Sequence, residues 1–118
     1  MAMFLVRIEL GGVTYGHGLY RALGERMERA GFVGSVDDDT SGRRMELPVG
    51  TWALERDDLG AGEVHALSVM ATEDALAGDE DGPCVSPAIL VCEARRFVWT
   101  GLTPCRPVLR VVGEGSPT

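Results

Sequence analysis

The segment FLVRIEL at residues 4–10 decides the fold, because large apolar side chains occupy every even-numbered position of it. Arg7 and Glu9 stand between them at odd-numbered positions. A repeat of two residues is typical of a β-strand that buries one face. The segment therefore predicts a first strand over residues 3–10, with Arg7 and Glu9 on the face opposite the core. Leu5 on that same face indicates that it is partly covered as well.

Two helices are expected further along the chain. Apolar side chains recur every three to four residues in segments 18–30 and 59–76, which is the spacing of one buried helix face. Gly31 follows the first segment as a helix-ending residue. Asp57 and Asp58 precede the second segment and are candidates for its N-terminal cap.

The remaining apolar segments predict strands. Short extended segments with intervening turn residues follow at 32–36, 43–47, 51–55 and 88–93. Residues 88–93 are almost continuously apolar, which favours a central strand with Cys92 as a small buried side chain. Pro48 follows the third strand and is expected at a sheet edge or in a bulge, because proline cannot donate a ladder hydrogen bond. Residues 97–99 and 108–112 are further extended candidates.

The resulting order is βαββαβ, the ferredoxin-like split βαβ arrangement. We therefore expect an α+β fold with an antiparallel sheet, two helices on one face and additional C-terminal strand structure. Residues 1–112 form a single domain in this interpretation, and residues 113–118 form a flexible tail. The second face of the sheet must then be exposed, covered by the C-terminal segment, or buried in a dimer.

The amino-acid composition limits the classes of molecule that the protein can bind. The 118-residue chain has a net charge of −7, and all 11 of its basic residues are arginine. Such a charge excludes a general nucleic-acid coat protein but leaves a local arginine site possible. The three cysteines lack metal-ligand spacing and favour free thiols in a reducing compartment. With no signal-like start and no long apolar segment, we expect a cytoplasmic protein without a membrane span.

Five short motifs carry a resemblance to a known family. They occur in order as FLVRIEL at 4–10, GF at 31–32, LPVGTW at 47–52, VCEA at 91–94 and WTGL at 99–102. Over residues 3–102 the chain resembles the GhoS-type antitoxins, the protein component of type V toxin–antitoxin pairs. The resemblance implies a ferredoxin-like fold similar to the CRISPR adaptation nuclease subunit, and an endoribonuclease that cleaves the toxin's messenger RNA. It supplies no catalytic residue, because the matched motifs are structural. The loop at 12–18, the loop around Glu80 and the chain beyond Thr103 depart from the family pattern.

Two residues are candidates for catalysis. Glu9, near a strand end, could hold a divalent metal ion or position water for phosphodiester cleavage. The alternative for Glu9 is a simple ion pair with Arg7 across the sheet face. His17 lies in a glycine-rich loop and could act as a general acid or base without a metal. The alternative for His17 is an exposed loop residue, and no resident metal or other cofactor is predicted.

Candidates for RNA binding are the arginines of the sheet, the hairpin and the C-terminal strands, with one aromatic residue, namely Arg7, Arg43, Arg44, Arg95, Arg96 and Trp99. Arginine binds phosphate as a planar fork, and Trp99 offers a surface on which a single-stranded base can stack. The alternative is that these arginines are solvated edge charges that prevent aggregation between strands.

Two functions remain open from the sequence. The first is an antitoxin that cleaves single-stranded RNA, as the family resemblance implies. The second is a non-catalytic acidic inhibitor that binds a protein, of the phage anti-defence or immunity type. The acidic segments 37–39 and 79–81 favour the second function. A homodimer is expected in either case.

Overall fold

The computed structural model describes residues 2–38, 41–94 and 103–105, and it shows an α+β fold. The elements follow in the order β1 (Met3–Gly11), α1 (Gly18–Arg29), β2 (Ser35–Asp37), β3 (Arg44–Glu46), β4 (Thr51–Glu55), α2 (Ala61–Ala77), a 3₁₀ turn (Gly82–Cys84), β5 (Ser86–Ala94) and β6 (Thr103–Pro104). Both predicted helices are confirmed to within two residues at each end. The strand candidates at 97–99 and 108–112, and the tail at 113–118, lie outside the described residues.

The larger sheet has the strand order β4-β1-β5, and β1 is antiparallel to both neighbours. Segment 4–10 is therefore the centre of this sheet. Among the described residues β5 has one neighbour, β1, so the prediction that residues 88–93 form a central strand is not confirmed. The apolar side chains of β5 lie on both of its faces: Ile89 and Val91 pack against the core, whereas Leu90 and Cys92 lie exposed on the opposite face.

A smaller antiparallel sheet, with the order β2-β3-β6, extends the molecule. It is linked to the larger sheet by an isolated bridge between Val33 and Ala53. The hairpin expected between residues 32 and 47 is thereby confirmed, although its first strand begins later than predicted.

The core lies between the sheet and the two helices. The even-numbered side chains of β1 are fully or almost fully buried, as the alternation predicts. Buried residues of α1 and α2 pack against them in one cluster, including Leu19, Leu23, Met27, Val64, Ala71 and Ala75. Full burial of one such large side chain contributes roughly 1.5–3 kcal/mol. This cluster therefore holds both helices on the same face of the sheet.

A tight turn joins β3 to β4 and borders the face of the larger sheet that carries no helices. Thr51 N–H donates to the Pro48 carbonyl at 3.0 Å, and Gly50 has a φ of +87°. Positive φ at the third residue is the mark of a type II turn and favours glycine. Ile8 N–H donates to the Gly50 carbonyl at 2.7 Å, so the turn continues the pairing of β4 with β1. Pro48 was expected at an edge or a bulge and instead lies at the first position of this turn, between β3 and β4.

The start of α2 differs from expectation. Glu63 accepts a hydrogen bond from Gly60 N–H at 2.7 Å, so Gly60 is the cap residue. Asp57 instead accepts from Ala2 N–H, and Asp58 pairs with Arg56. The prediction that Asp57 or Asp58 caps this helix is wrong, because both carboxylates bond to other residues.

Candidate functional site

A cluster of three polar side chains, which we name the β1 cluster, lies on the face without helices. Two members, Arg7 and Glu9, belong to β1, and the third, Tyr15, belongs to the loop that follows it. One terminal nitrogen of Arg7, Nη2, donates to Glu9 Oε1 at 2.8 Å and to the Tyr15 hydroxyl at 2.7 Å. The Tyr15 hydroxyl in turn donates to Glu9 Oε2 at 2.6 Å. The three side chains therefore close a ring of hydrogen bonds. Sequence reasoning placed Arg7 and Glu9 on this face correctly but did not include Tyr15.

The second terminal nitrogen of Arg7 binds the turn between β3 and β4. Its Nη1 donates to the Val49 carbonyl at 2.6 Å and lies 3.2 Å from Thr51 Oγ1. Arg7 thus joins the loop that carries Tyr15 to the turn that carries Val49. Because both terminal nitrogens have partners within the chain, contact with a phosphate would require Arg7 to break existing hydrogen bonds.

The cluster fixes the protonation states of its acidic members. The hydrogen bond from Tyr15, followed by the positive charge of Arg7, lowers the pKa of Glu9 below its usual value. The hydrogen bond to Glu9 raises the pKa of Tyr15. Glu9 is therefore ionised and Tyr15 protonated at neutral pH. A carboxylate with a lowered pKa and both oxygens engaged is a weak general base.

His17 is a helix cap. Its Nδ1 accepts a hydrogen bond from Leu19 N–H at 3.0 Å at the start of α1. The neutral ring then carries its proton on Nε2, which lies 3.1 Å from Asp81 Oδ2. Both ring nitrogens are therefore used within the chain, and neither bonds to Arg7 or Glu9.

The predicted RNA-binding arginines are only partly described. Arg44 bonds across the hairpin to Ser35 Oγ at 2.8 Å and to Asp37 Oδ1 at 2.9 Å. The Arg43 side chain is exposed. Arg95, Arg96 and Trp99 lie outside the described residues, so their place relative to the hairpin stays a prediction.

Negative charge is concentrated in one part of the sequence. Residues 57–81 contain eight acidic residues and no arginine or lysine, whereas the rest of the chain carries ten acidic residues and all 11 arginines. This segment comprises α2 and the loops on either side of it. Glu73 and Asp74 are exposed near the C-terminal end of the helix.

A surface groove of about 510 Å³ lies between α1 and α2. Arg26, Arg29 and Asp74 border it, and Leu67 and Met70 contribute apolar surface. Met70 is 61% exposed, which is high for a methionine at the edge of a helix interface.

Within residues 2–38, 41–94 and 103–105, no three His, Cys, Asp or Glu side chains are grouped as metal ligands. No helix in those ranges is long and apolar enough to cross a membrane. Comparison of the chain with protein-family models, curated proteins and solved structures found no match in any of the three.

Proposed function

We propose that this protein is a non-catalytic inhibitor that binds a basic surface of a protein partner. The observation that carries the proposal is the commitment of both catalytic candidates to internal hydrogen bonds. Glu9 uses both carboxylate oxygens within the β1 cluster, and His17 uses both ring nitrogens at the start of α1. Each of these four atoms therefore already has a hydrogen-bond partner within the chain.

The acidic segment at residues 57–81 supplies the binding surface in this proposal. Its eight acidic residues lie without a basic residue among them. A surface of one charge sign attracts a partner of the opposite sign, accelerates the encounter and disfavours other partners. Binding of this kind weakens as salt is added, because exposed charges are screened.

Charge reversal in α2 tests the proposal. We expect the double substitution Glu73→Arg and Asp74→Arg to abolish capture of a basic protein from the native host. Both residues are exposed near the C-terminal end of α2, where cations are favourable, so the variant is expected to fold. The matched control is Glu25→Arg with Glu28→Arg, which makes the same charge change on α1.

Three outcomes of this experiment are distinct. Loss of the captured protein in the α2 variant alone, with salt-sensitive capture by the wild type, supports binding through residues 57–81. Equal capture by both variants would refute the acidic segment as the binding surface. Absence of any basic protein from the wild-type eluate would refute the inhibitor itself.

An RNA-cleaving antitoxin is the second candidate, and the observation that favours it is the partial exposure of the Arg7 and Glu9 side chains to solvent. Arg7, Glu9 and Tyr15 lie within hydrogen-bonding distance of one another on a partly exposed face. A substrate phosphate that displaced Glu9 from Arg7 would free a carboxylate next to the scissile bond. The test is incubation of folded protein with single-stranded RNA in Mg²⁺, in Mn²⁺ and in EDTA. Cleavage that Glu9→Gln removes supports the enzyme, and no cleavage under any condition excludes it.

We also propose a ferredoxin-like topology and a cytoplasmic location for this protein. The topology is supported by two neighbours, β4 and β5, that are both antiparallel to β1, and by the Val33 bridge on the far side of β4. These contacts give the spatial order β5, β1, β4 and then the segment that contains Val33. The three free cysteines support a reducing compartment.

A further inference from the structure

We propose that a second copy of this chain pairs with the outer edge of β5, antiparallel to it and related by a two-fold axis at Leu90. All nine residues of β5 pair with β1 along one edge of the strand. Among the described residues, the other edge has no partner. A long strand edge of this kind is a template for pairing with another chain.

Hydrogen-bond directions show which groups of β5 face outward. Ile8 N–H points toward β4, because it donates to the Gly50 carbonyl. N–H groups alternate along a strand, so those of Arg7 and the other odd-numbered residues of β1 point toward β5. Leu90 is the register partner of Arg7 and directs its N–H and C=O toward β1. The odd-numbered residues of β5 therefore direct their N–H and C=O groups to the outer edge.

Pro87 is the first residue of β5 with this outward direction. Proline has no N–H to donate, and at this position it removes no hydrogen bond from the pairing with β1. The outward-facing groups of Ile89, Val91 and Glu93 remain as donors and acceptors. The edge can thus accept a further strand over most of its length.

The register follows from the length of the strand. Leu90 is the middle residue of Ser86–Ala94, so a two-fold axis there brings all nine residues into overlap. Ile89 then exchanges hydrogen bonds with Val91 of the second copy. Leu90, which is 61% exposed in one chain, lies opposite Leu90 of the second copy and is covered.

Side chains on the helix-free face of β5 do not oppose this pairing. They are uncharged, namely Ser86, Ala88, Leu90, Cys92 and Ala94. Strand edges that resist association usually carry charged side chains. In a protein with a net charge of −7, an uncharged row of this length distinguishes this edge from the acidic segment.

The flank of α2 is also compatible with a second copy. This helix packs on β5, and its groove with α1 is bordered by Leu67, Met70 and Asp74. At 100° per residue, His65, Val69 and Leu76 lie on the flank away from α1. Val69 and Leu76 are only partly buried, and Glu73 lies between this flank and the groove. None of the three residues on this flank, His65, Val69 and Leu76, is acidic.

The first experiment measures molecular mass in solution by sedimentation equilibrium. We expect the wild type to be a dimer. Leu90→Lys should raise the dissociation constant of the dimer by about tenfold or more, because two like charges would be buried face to face. The matched control is Met70→Lys, since Met70 and Leu90 are equally exposed at 61%. A monomeric wild type, or equal weakening by both variants, overturns the proposal.

The second experiment tests the register by disulfide formation. In a chain with its three cysteines replaced by serine, Leu90→Cys is expected to give a covalent dimer on mild oxidation. Residues opposite each other in a non-hydrogen-bonded pair have Cα atoms about 4.5 Å apart, which a disulfide can bridge. Ala88→Cys in the same background lies opposite position 92 and is expected to remain uncrosslinked. Preferential crosslinking at position 88 would refute the axis at Leu90. These two experiments test the dimer separately from the proposed inhibitor function, because positions 88 and 90 lie outside the acidic segment at residues 57–81.

Discussion

The two faces of the β4-β1-β5 sheet are held by different interactions, and neighbouring residues of β1 show the difference. Ile8 is fully buried under the helices, among apolar side chains. Arg7, one residue earlier, lies on the other face and bonds to a carboxylate, a phenol and a turn. Burial stabilises the first face through area removed from water, whereas the second depends on a few directional bonds near solvent. The fold therefore depends mainly on the face buried under the helices, and the shifted pKa values of Glu9 and Tyr15 belong to the other face.

The largest effect is expected on the helix side. Ile8→Ala should lower the free energy of unfolding by about 2–5 kcal/mol, because it removes a fully buried side chain and leaves a cavity between sheet and helices. Urea denaturation followed by circular dichroism measures the change. A loss below that caused by Arg7→Ala would reverse the comparison between the two faces.

Gly50→Ala tests the turn between β3 and β4, which pairs with β1 through the Gly50 carbonyl. Gly50 has a φ of +87°, and an added Cβ would lie 2.7 Å from the Ile8 carbonyl. We expect a loss of about 1–3 kcal/mol, from the strained backbone and from weaker pairing between the turn and β1. Gly42→Ala is the control, since Gly42 has a φ of +72° and open space around it. A similar loss of unfolding free energy in both variants would show that the effect comes from the positive φ alone and not from the close approach to the Ile8 carbonyl.

Arg7→Met tests the helix-free face itself. Methionine retains much of the apolar stem but removes the bonds to Glu9, Tyr15 and Val49. The Arg7 side chain is 36% exposed, so solvent compensates in part and we expect a loss of about 1 kcal/mol. Amide hydrogen exchange should become faster in the Tyr15 loop and the Val49 turn while α1 remains protected. Equal acceleration in α1 would show that the cluster supports the core.

The same contrast explains which features the sequence could predict. The strand at 4–10 and both helices follow from apolar spacing, because their burial is local and periodic. The position of β5 among the described strands could not be predicted, because an apolar run is compatible with a central strand and with a strand that exposes uncharged side chains on one face. Tyr15 was missed for another reason: a loop residue meets strand residues through tertiary geometry that has no period. His17 likewise shows no cap signature in the sequence, since Ser, Thr, Asp and Asn are the usual caps.

The smallest effect is a shift in titration within the β1 cluster. The pKa of Tyr15 is raised by its hydrogen bond to Glu9, and the pKa of Glu9 is lowered first by Tyr15 and then by Arg7. Glu9→Gln should therefore lower the pKa of Tyr15, and Tyr15→Phe should raise the pKa of Glu9. Phenolate absorbance, taken as the difference between wild type and Tyr15→Phe, reports Tyr15, and carboxyl-carbon NMR reports Glu9.

The sign of the pH dependence follows for each group. Because the pKa of Glu9 is lower in the folded state, its stabilisation is present above its unfolded value of about 4.3 and is lost as the pH falls through the folded value. Because the pKa of Tyr15 is higher in the folded state, its stabilisation is present below about 10 and is lost as the pH rises through the folded value. Between these limits the cluster stays closed, so loosening of the Tyr15 loop belongs to acidic and alkaline conditions. An unchanged Tyr15 titration in Glu9→Gln would show that the cluster is open in solution, and Glu9 would then be available as a base for RNA cleavage.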